Sequence, residues 1–256
     1  MNAFIRSFAS EWLKRKRSLA AWLVVCGAFF TPAIIFTAKL IRHGHLAAES
    51  AQPTYWQHLW KSAWESMAIF LLPLGVILAT SLITQLEYKN NSWKLLHTTP
   101  QRYSVIFGAK LAVVLVMMGQ FLLLFNVGIY LAGVLPGLLL GVPYPAAPIP
   151  YAAFLSDDGR YLVACLPIVA LQYLISLRFR NFLVPVGGGL ALWILSVAVL
   201  SWQYGYLIPY TYCSFTFLQG QPRFAQPVAL LPWAVGYFLL FTGAAYGLYV
   251  QQREKG

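Results

Sequence analysis

Residues 111–133 read LAVVLVMMGQFLLLFNVGIYLAG, and no Asp, Glu, Lys, Arg or His interrupts them. A helix needs about 20 mainly apolar residues to cross the hydrocarbon core of a bilayer, so this stretch predicts a transmembrane helix. Five further stretches of similar composition occur along the chain. The predicted spans lie at roughly 19–38, 66–84, 111–133, 161–177, 182–201 and 228–250. The pattern predicts an all-α membrane protein with six transmembrane helices.

The composition of the whole chain agrees with this prediction. It is 59% hydrophobic and only 10% charged, with a mean hydropathy of +0.65, whereas a soluble domain carries about 25% charged residues. The segments between the spans have the length of loops, so we predict one transmembrane domain over 1–256 and no separate soluble catalytic domain. The predicted spans have uncharged interiors. A proton-driven pump usually carries carboxylates or histidines there, so we expect the energy for any transport to come from elsewhere.

The Lys and Arg residues predict the orientation of the chain, because cytoplasmic loops of membrane proteins are enriched in them. With the N-terminus in the cytoplasm, 13 of the 18 fall on cytoplasmic segments and five on outer segments. The cytoplasmic ones are Arg6, Lys14, Arg15, Lys16, Arg17, Lys89, Lys94, Arg102, Lys110, Arg178, Arg180, Arg253 and Lys255. We therefore predict that both termini are cytoplasmic. Attraction to the anionic membrane face explains the net charge of +11 without a nucleic-acid partner.

Residues 1–18 have the pattern of a short amphipathic helix. Phe4, Ile5, Phe8 and Trp12 recur at spacings that place them on one face, while basic residues lie elsewhere. A basic helix with such a face lies in the membrane interface and contacts lipid. It either anchors the first span alone or also contacts a partner protein.

The outer segments suggest structure at the membrane surface. Trp56, Trp60 and Trp64 in segment 39–65 predict a helix in the outer interface. The tyrosines of segment 201–227 suggest the same depth. Segment 134–160 is rich in Pro and Gly, which predicts an ordered cap or a re-entrant piece and not a long helix. Asp157 and Asp158 at its end are expected to cap the N-terminus of the next helix.

The sequence offers no recognisable catalytic or metal-binding set. Phosphate-binding GxxxxGK[ST], GxSxG and HExxH motifs are missing from the sequence. His43 and His45 form an isolated pair, which is too little to predict a metal site. Cys26 and Cys165 lie in predicted spans and Cys213 in an outer segment, so no pair is expected to suit a disulfide. We predict no catalytic residues and no metal in this chain.

The cytoplasmic loop at 85–110 is unusual because it displays apolar side chains among polar ones. Tyr88, Trp93, Leu95 and Leu96 lie between charged residues, and Thr99-Pro100 ends any helix there. Trp and Leu side chains in a polar loop are expected to be buried against another surface. The spans of the chain itself, the lipid surface or another protein could supply that surface.

This loop resembles that of the membrane subunits of type-2 ATP-binding-cassette (ABC) transporters. The residues that carry the resemblance are Glu87, Trp93-Lys94-Leu95-Leu96, Thr99-Pro100-Gln101-Arg102 and Lys110. The stretches LQYLIS at 171–176 and RFRNF at 178–182 resemble the branch of lantibiotic-immunity and bacitracin-resistance permeases. The layout of an interfacial N-terminal helix and six spans extends the resemblance over the whole chain.

The resemblance implies a permease in a bacterial plasma membrane that binds no cofactor itself, with ATP and Mg on a partner ATPase. Two permeases, identical or paralogous, would bind two ATPase subunits. Loop 86–100 would be the coupling helix, contacting the ATPase through Glu87, Trp93, Lys94, Leu95 and Leu96. Arg178 and Arg180 would form a second contact. Substrates in this branch are often amphipathic peptide antibiotics, which are exported.

Three amides within the predicted spans, Gln120, Asn126 and Gln172, could line a path for an amphipathic substrate. They could equally serve only to hydrogen-bond neighbouring helices. Two further classes of function remain as alternatives: a membrane scaffold or sensor component that does not transport, and an intramembrane enzyme.

Overall fold

A computed structural model gives the fold of the chain and describes residues 3–16, 18–89, 102–179, 181–218, 221–224, 226 and 228–254. For 86–89 and 252–254 it describes the backbone alone. Within these residues the chain is helical and no strand is present. The helices are α1 Ala3–Arg15, α2 Leu19–Ile41, α3 Leu46–Ser50, α4 Tyr55–Ser66, α5 Leu72–Lys89, α6 Tyr103–Leu140, α7 Tyr151–Arg178, α8 Leu183–Ala198, α9 Tyr212–Leu218 and α10 Leu230–Glu254. A π-helical turn, Met67–Leu71, joins α4 to α5.

Five helices of the described chain are long and apolar enough to cross a membrane: Leu19–Ile41, Tyr55–Gln85, Tyr103–Leu140, Tyr151–Arg178 and Leu230–Gln251. They coincide, to within two residues at either end or by extending further, with five of the six predicted spans. The remaining one, predicted at 182–201, is the shorter apolar helix α8 of 16 residues. At 1.5 Å per residue α8 is about 24 Å long, less than the roughly 30 Å of a bilayer core. Six crossings and the cytoplasmic location of both termini stay predictions.

In the segment at 134–160, residues 134–140 and 151–160 belong to long helices, so the prediction of a cap without a long helix was wrong there, and 141–150 are not helical. Helix α6 continues through Pro136 to Leu140 and ends at Gly141, whose φ of 71° is the left-handed conformation that glycine adopts readily. Helix α7 begins directly after Pro150. Asp157 and Asp158 therefore lie inside α7 and do not cap its N-terminus.

The longer helices also correct the prediction of uncharged spans. Lys39 lies in the last turn of α2, Lys110 in the second turn of α6 and Asp158 in α7. Lys110 is 3% exposed and Asp158 is 9% exposed. All three lie outside the predicted spans, because the helices continue beyond the apolar stretches from which the spans were predicted.

The three tryptophans assigned to an outer interface lie inside the bundle instead. Trp56, Trp60 and Trp64 are all buried. The ring of Trp60 stacks on that of Phe154 with centroids 4.0 Å apart, and the ring of Trp64 stacks on that of Tyr161 at 3.6 Å. Their spacing of four residues gives one face of α4, and that face packs against α6 and α7 rather than against lipid headgroups.

The segment after α8 folds back into the bundle. It forms the 3₁₀ turns Gly205–Leu207 and Pro209–Thr211 and then α9. Tyr210, Tyr212 and Phe215 are completely or almost completely buried. The prediction of an outer-interface position was therefore wrong for Tyr210 and Tyr212, whereas Tyr204 is exposed and its position relative to the membrane stays a prediction. An aromatic segment with prolines has the same composition at a membrane interface and inside a helix bundle, so only the packing of the folded chain distinguishes the two positions.

This return brings two cysteines together. The sulfurs of Cys165 in α7 and Cys213 in α9 lie 3.0 Å apart, and both side chains are fully buried. Both are free thiols, so the expectation that no pair suits a disulfide stays a prediction. The placement of Cys213 outside the bundle was wrong, because its side chain is fully buried. The sequence does not reveal the contact, since the two positions are 48 apart along the chain.

Oxidation should therefore join Cys165 to Cys213 within one chain. In a chain carrying Cys26→Ala, treatment of membranes with copper phenanthroline is expected to remove both remaining thiols. The measurement is the number of maleimide adducts on the denatured protein by intact mass, before and after reduction. A further Cys213→Ser change is the control and should leave the thiol of Cys165 reactive. Two reactive thiols after oxidation would contradict the packing of α9 on α7.

Candidate functional site

One end of the bundle brings together the points at which the two segments assigned to a partner ATPase begin. The side chain of Gln85 in α5 donates from Nε2 to the carbonyl of Phe179, just after α7, at 2.8 Å. The hydroxyl of Tyr173 in α7 donates to the carbonyl of Phe107 in α6 at 3.2 Å. The C-termini of α5 and α7 and the N-terminus of α6 thus meet, and we call this the basal end. Segments 86–100 and 178–181 both begin there.

The predicted contact residues are only partly described. Glu87 belongs to the last turn of α5 at the basal end, with its backbone alone described. Trp93, Lys94, Leu95, Leu96 and Arg180 lie outside the described residues. Arg178 is exposed in the last turn of α7, where a cation also interacts favourably with the helix dipole. Its guanidinium carbon lies 6.0 Å from the ring centre of Phe179, which is itself exposed.

Helix α1 packs along the first half of α6. Ser7 and Glu11 form its buried face, and Glu11 forms an ion pair with Lys14. The rings of Phe8 and Trp12 stack with centroids 5.9 Å apart and are partly buried. The prediction of a helix within 1–18 is confirmed. Contact of α1 with the membrane interface stays a prediction. Phe4 and Ile5 are exposed, as such a contact would require.

Gln120, one of the three amides proposed for a substrate path, binds α1. Arg15 donates from Nη1 to Oε1 of Gln120 at 2.7 Å, and the Arg15 guanidinium lies 3.7 Å from the ring centre of Trp12. The amide thus joins the end of α1 to the middle of α6.

Gln172 lies at a junction of four segments and is fully buried. Its Nε2 donates to Oγ of Ser81 in α5 at 2.8 Å and to the carbonyl of Pro185 in α8 at 2.7 Å. Its Oε1 accepts a hydrogen bond from the hydroxyl of Tyr210 at 2.9 Å. The approach of α8 requires Gly189, because a Cβ there would lie 2.6 Å from Oε1 of Gln172. All the polar atoms of this amide are engaged in holding helices together.

Asn126 pairs with a residue that sequence analysis did not assign to a site. Its Nδ2 donates to Oδ2 of Asp158 in α7 at 2.6 Å and to the carbonyl of Leu122 at 2.8 Å. The sequence places Asp158 on one face of a helix but does not show its partner. Tyr151, Phe154, Asp158 and Leu162 recur at spacings of three and four, which extends the face of α7 back to Pro150.

The structure does not bring the three amides into one path. Gln120 contacts α1, Gln172 is enclosed between helices, and of the three only Asn126 lines one of the larger cavities found among the described residues. A role in a substrate path stays a prediction for each.

Comparison with known proteins identifies the family. The family described as ABC-2 family transporter protein matches residues 7–211, which is most of the chain. No curated protein and no solved structure matches. The match covers the helices from α1 to the 3₁₀ turn before α9, including the basal end. The chain therefore belongs to the ABC-2 family of transporter membrane proteins.

Proposed function

We propose that this chain is the permease subunit of an ABC exporter in a bacterial plasma membrane. Permeases of the ABC-2 family work with an ABC ATPase, and the family match covers the chain from residue 7 to 211. In this proposal two permeases, identical or paralogous, bind two ATPase subunits. The ATPases hold ATP and Mg, and the substrate is an amphipathic molecule such as a peptide antibiotic of the lantibiotic or bacitracin class.

The observation that carries the proposal is the meeting of α5 and α7 at the basal end, through the hydrogen bond between Gln85 and Phe179. It supports a single docking surface made from loop 86–100 and the turn at 178–181. The ATPase would press on both together. Movement of the loop would then pass directly into α5, which is in contact with α7 and α8 through Ser81, Gln172 and Pro185.

Co-purification tests the proposal. The tagged chain, extracted from membranes of its source organism in mild detergent, is expected to elute with an ABC ATPase in equal amount by quantitative mass spectrometry. The eluate should hydrolyse ATP, and orthovanadate should inhibit that activity. A control preparation carries the same tag on an unrelated multi-pass membrane protein.

Two results would contradict the proposal. A chain that elutes alone, or with a membrane receptor and no ATPase, would support the scaffold or sensor alternative. A purified chain that converts a lipid or peptide without ATP would support the intramembrane enzyme.

A further inference from the structure

A cavity of about 770 Å³ lies between α4, α6 and α7. This is the size of a small-molecule site, and such sites are mainly apolar with a few placed polar groups. Its walls are largely aromatic and aliphatic. Trp56, Trp60, Tyr130, Phe154 and Leu162 are among the residues that form them.

Asp158 is the acidic group of this cavity. The residue is 9% exposed, and its Oδ2 accepts the hydrogen bond from Asn126. Its Oδ1 is buried and has no hydrogen-bond partner among the described residues. No Lys, Arg or His is among the described residues that line the cavity. Arg160 does not supply a countercharge to Asp158 either. It is largely exposed, and its Nη1 lies 3.5 Å from Oδ1 of Asp157.

A buried carboxylate without a cation is costly, because apolar surroundings replace neither its hydration nor a countercharge. A positively charged ligand would supply that countercharge. Aromatic walls add to the preference for cations, because the faces of Trp and Tyr attract positive charge. The negative charge of Asp158 and the aromatic walls of the cavity therefore both favour a cation with an apolar body.

The rim of the cavity shows how such a molecule would enter. Leu123, Tyr151 and Leu155 lie at the rim and are 65%, 72% and 74% exposed. In a membrane, such exposed apolar side chains contact either lipid or a second helix bundle. Asp158 lies seven residues into α7, or about 10 Å from the end of that helix opposite the basal end. A lipophilic molecule can therefore enter the cavity sideways through this rim and bring a positive charge near Asp158.

We propose that this cavity binds a lipophilic monocation, with its charged centre beside Asp158 and its apolar body among the aromatic side chains. This inference rests on the proposed function and names the chemical class of its substrate. Neutral and anionic amphiphiles of equal size would bind more weakly, since Asp158 would lack its countercharge or face a like charge.

Binding of tetraphenylphosphonium to the purified chain in nanodiscs of zwitterionic lipid tests the inference. Radiolabelled probe should bind saturably to the unchanged chain, with neutral triphenylphosphine oxide as a poor competitor. Asp158→Asn is expected to weaken binding by about ten-fold or more, because one charged contact is lost. The matched control is Asp157→Asn, which removes the same charge one residue away on the surface and should leave binding unchanged.

A second variant keeps the test valid if Asp158→Asn fails to fold. Gly119 also lines the cavity, and a side chain there would meet open space. Gly119→Phe places a ring at the wall of the cavity and leaves Asp158 unchanged, so it should weaken saturable binding while the thermal unfolding curve stays close to that of the unchanged chain.

Several results would overturn the inference. They are absence of saturable binding to the unchanged chain, equal binding by the Asp158→Asn chain, and equal loss of binding in the Asp157→Asn control. Efficient crosslinking between two copies carrying Leu155→Cys, unaffected by the probe, would show that a second copy of the chain covers the cavity. The assay contains no ATPase, so a failure of ATP-driven export with intact binding would count against the proposed function alone.

Discussion

Replacement of Gln172 by leucine is expected to destabilise the bundle by about 2 kcal/mol or more. The change removes three hydrogen bonds and leaves the buried hydroxyl of Tyr210 without its acceptor. An unsatisfied buried polar group costs about 1–3 kcal/mol, and a branched side chain must also fit against Gly189. For a chain of this size the expected fall in Tm is about 4–8 °C. The measurement is thermal unfolding of the purified protein in detergent.

Two further variants give this result its meaning. Gln203→Leu makes the same chemical change at an exposed position and should leave Tm unchanged. Tyr210→Phe removes one hydrogen bond of the junction and should produce a smaller fall than Gln172→Leu. If the Gln172→Leu protein has the same Tm as the unchanged chain but loses substrate-stimulated ATP hydrolysis, Gln172 belongs to a substrate path and does not mainly stabilise the helix packing.

The second large effect is expected for the double change Trp93→Ala and Leu96→Ala in loop 86–100. Truncation of a buried interface anchor typically costs about 2 kcal/mol or more. Losses at neighbouring anchors do not simply add, so the double change should weaken ATPase binding by at least about 30-fold, the factor that 2 kcal/mol gives. The variant permease should remain in the membrane and lose the ATPase on detergent purification. The measurement is the ratio of ATPase to permease in the eluate.

The opposite end of the bundle offers a matched control for this double change. Trp202 and Leu207 are 48% and 45% exposed and follow α8 at the end away from the basal end. Their double replacement by Ala removes the same side chains and should leave the ATPase bound. Glu87→Gln is expected to weaken ATP-driven transport more than assembly. Normal co-purification and normal transport by the Trp93 and Leu96 variant would instead place these side chains in lipid headgroups.

A substantial part of the fold was predictable from the sequence because hydropathy is a local property. A window of about 20 residues contains all the information that identifies a membrane-crossing helix, so five predicted spans coincide with long apolar helices. The amphipathic pattern of 1–18 predicted α1 for the same reason. The boundaries of α6 and α7 were less predictable, because each continues past its apolar stretch where another helix packs against it. The opposite error occurred for α8, whose helix is shorter than its apolar stretch, and composition alone did not reveal this.

The candidate sites were predictable only where the signal was a run of neighbouring residues. The loop that contains Glu87 and Trp93 was recognisable from its own residues. Asp158 was not, because its importance depends on Asn126, which is 32 positions away, and on the cavity between them. A carboxylate near the end of a helix has the same sequence signature whether it caps the helix or faces a cavity.

The sequence by itself determined that this is an all-helical membrane chain, where most of its spans lie, and which loop resembles a coupling surface. These are properties of short windows and of charge placement along the chain. Only the tertiary structure decided that residues 205–218 return into the bundle, that Gln172 joins α5 and α8 through hydrogen bonds, and that Cys165 touches Cys213. Each of those contacts joins residues far apart in sequence. Whether two distant side chains meet depends on how the helices between them pack, and local residue patterns do not encode that packing.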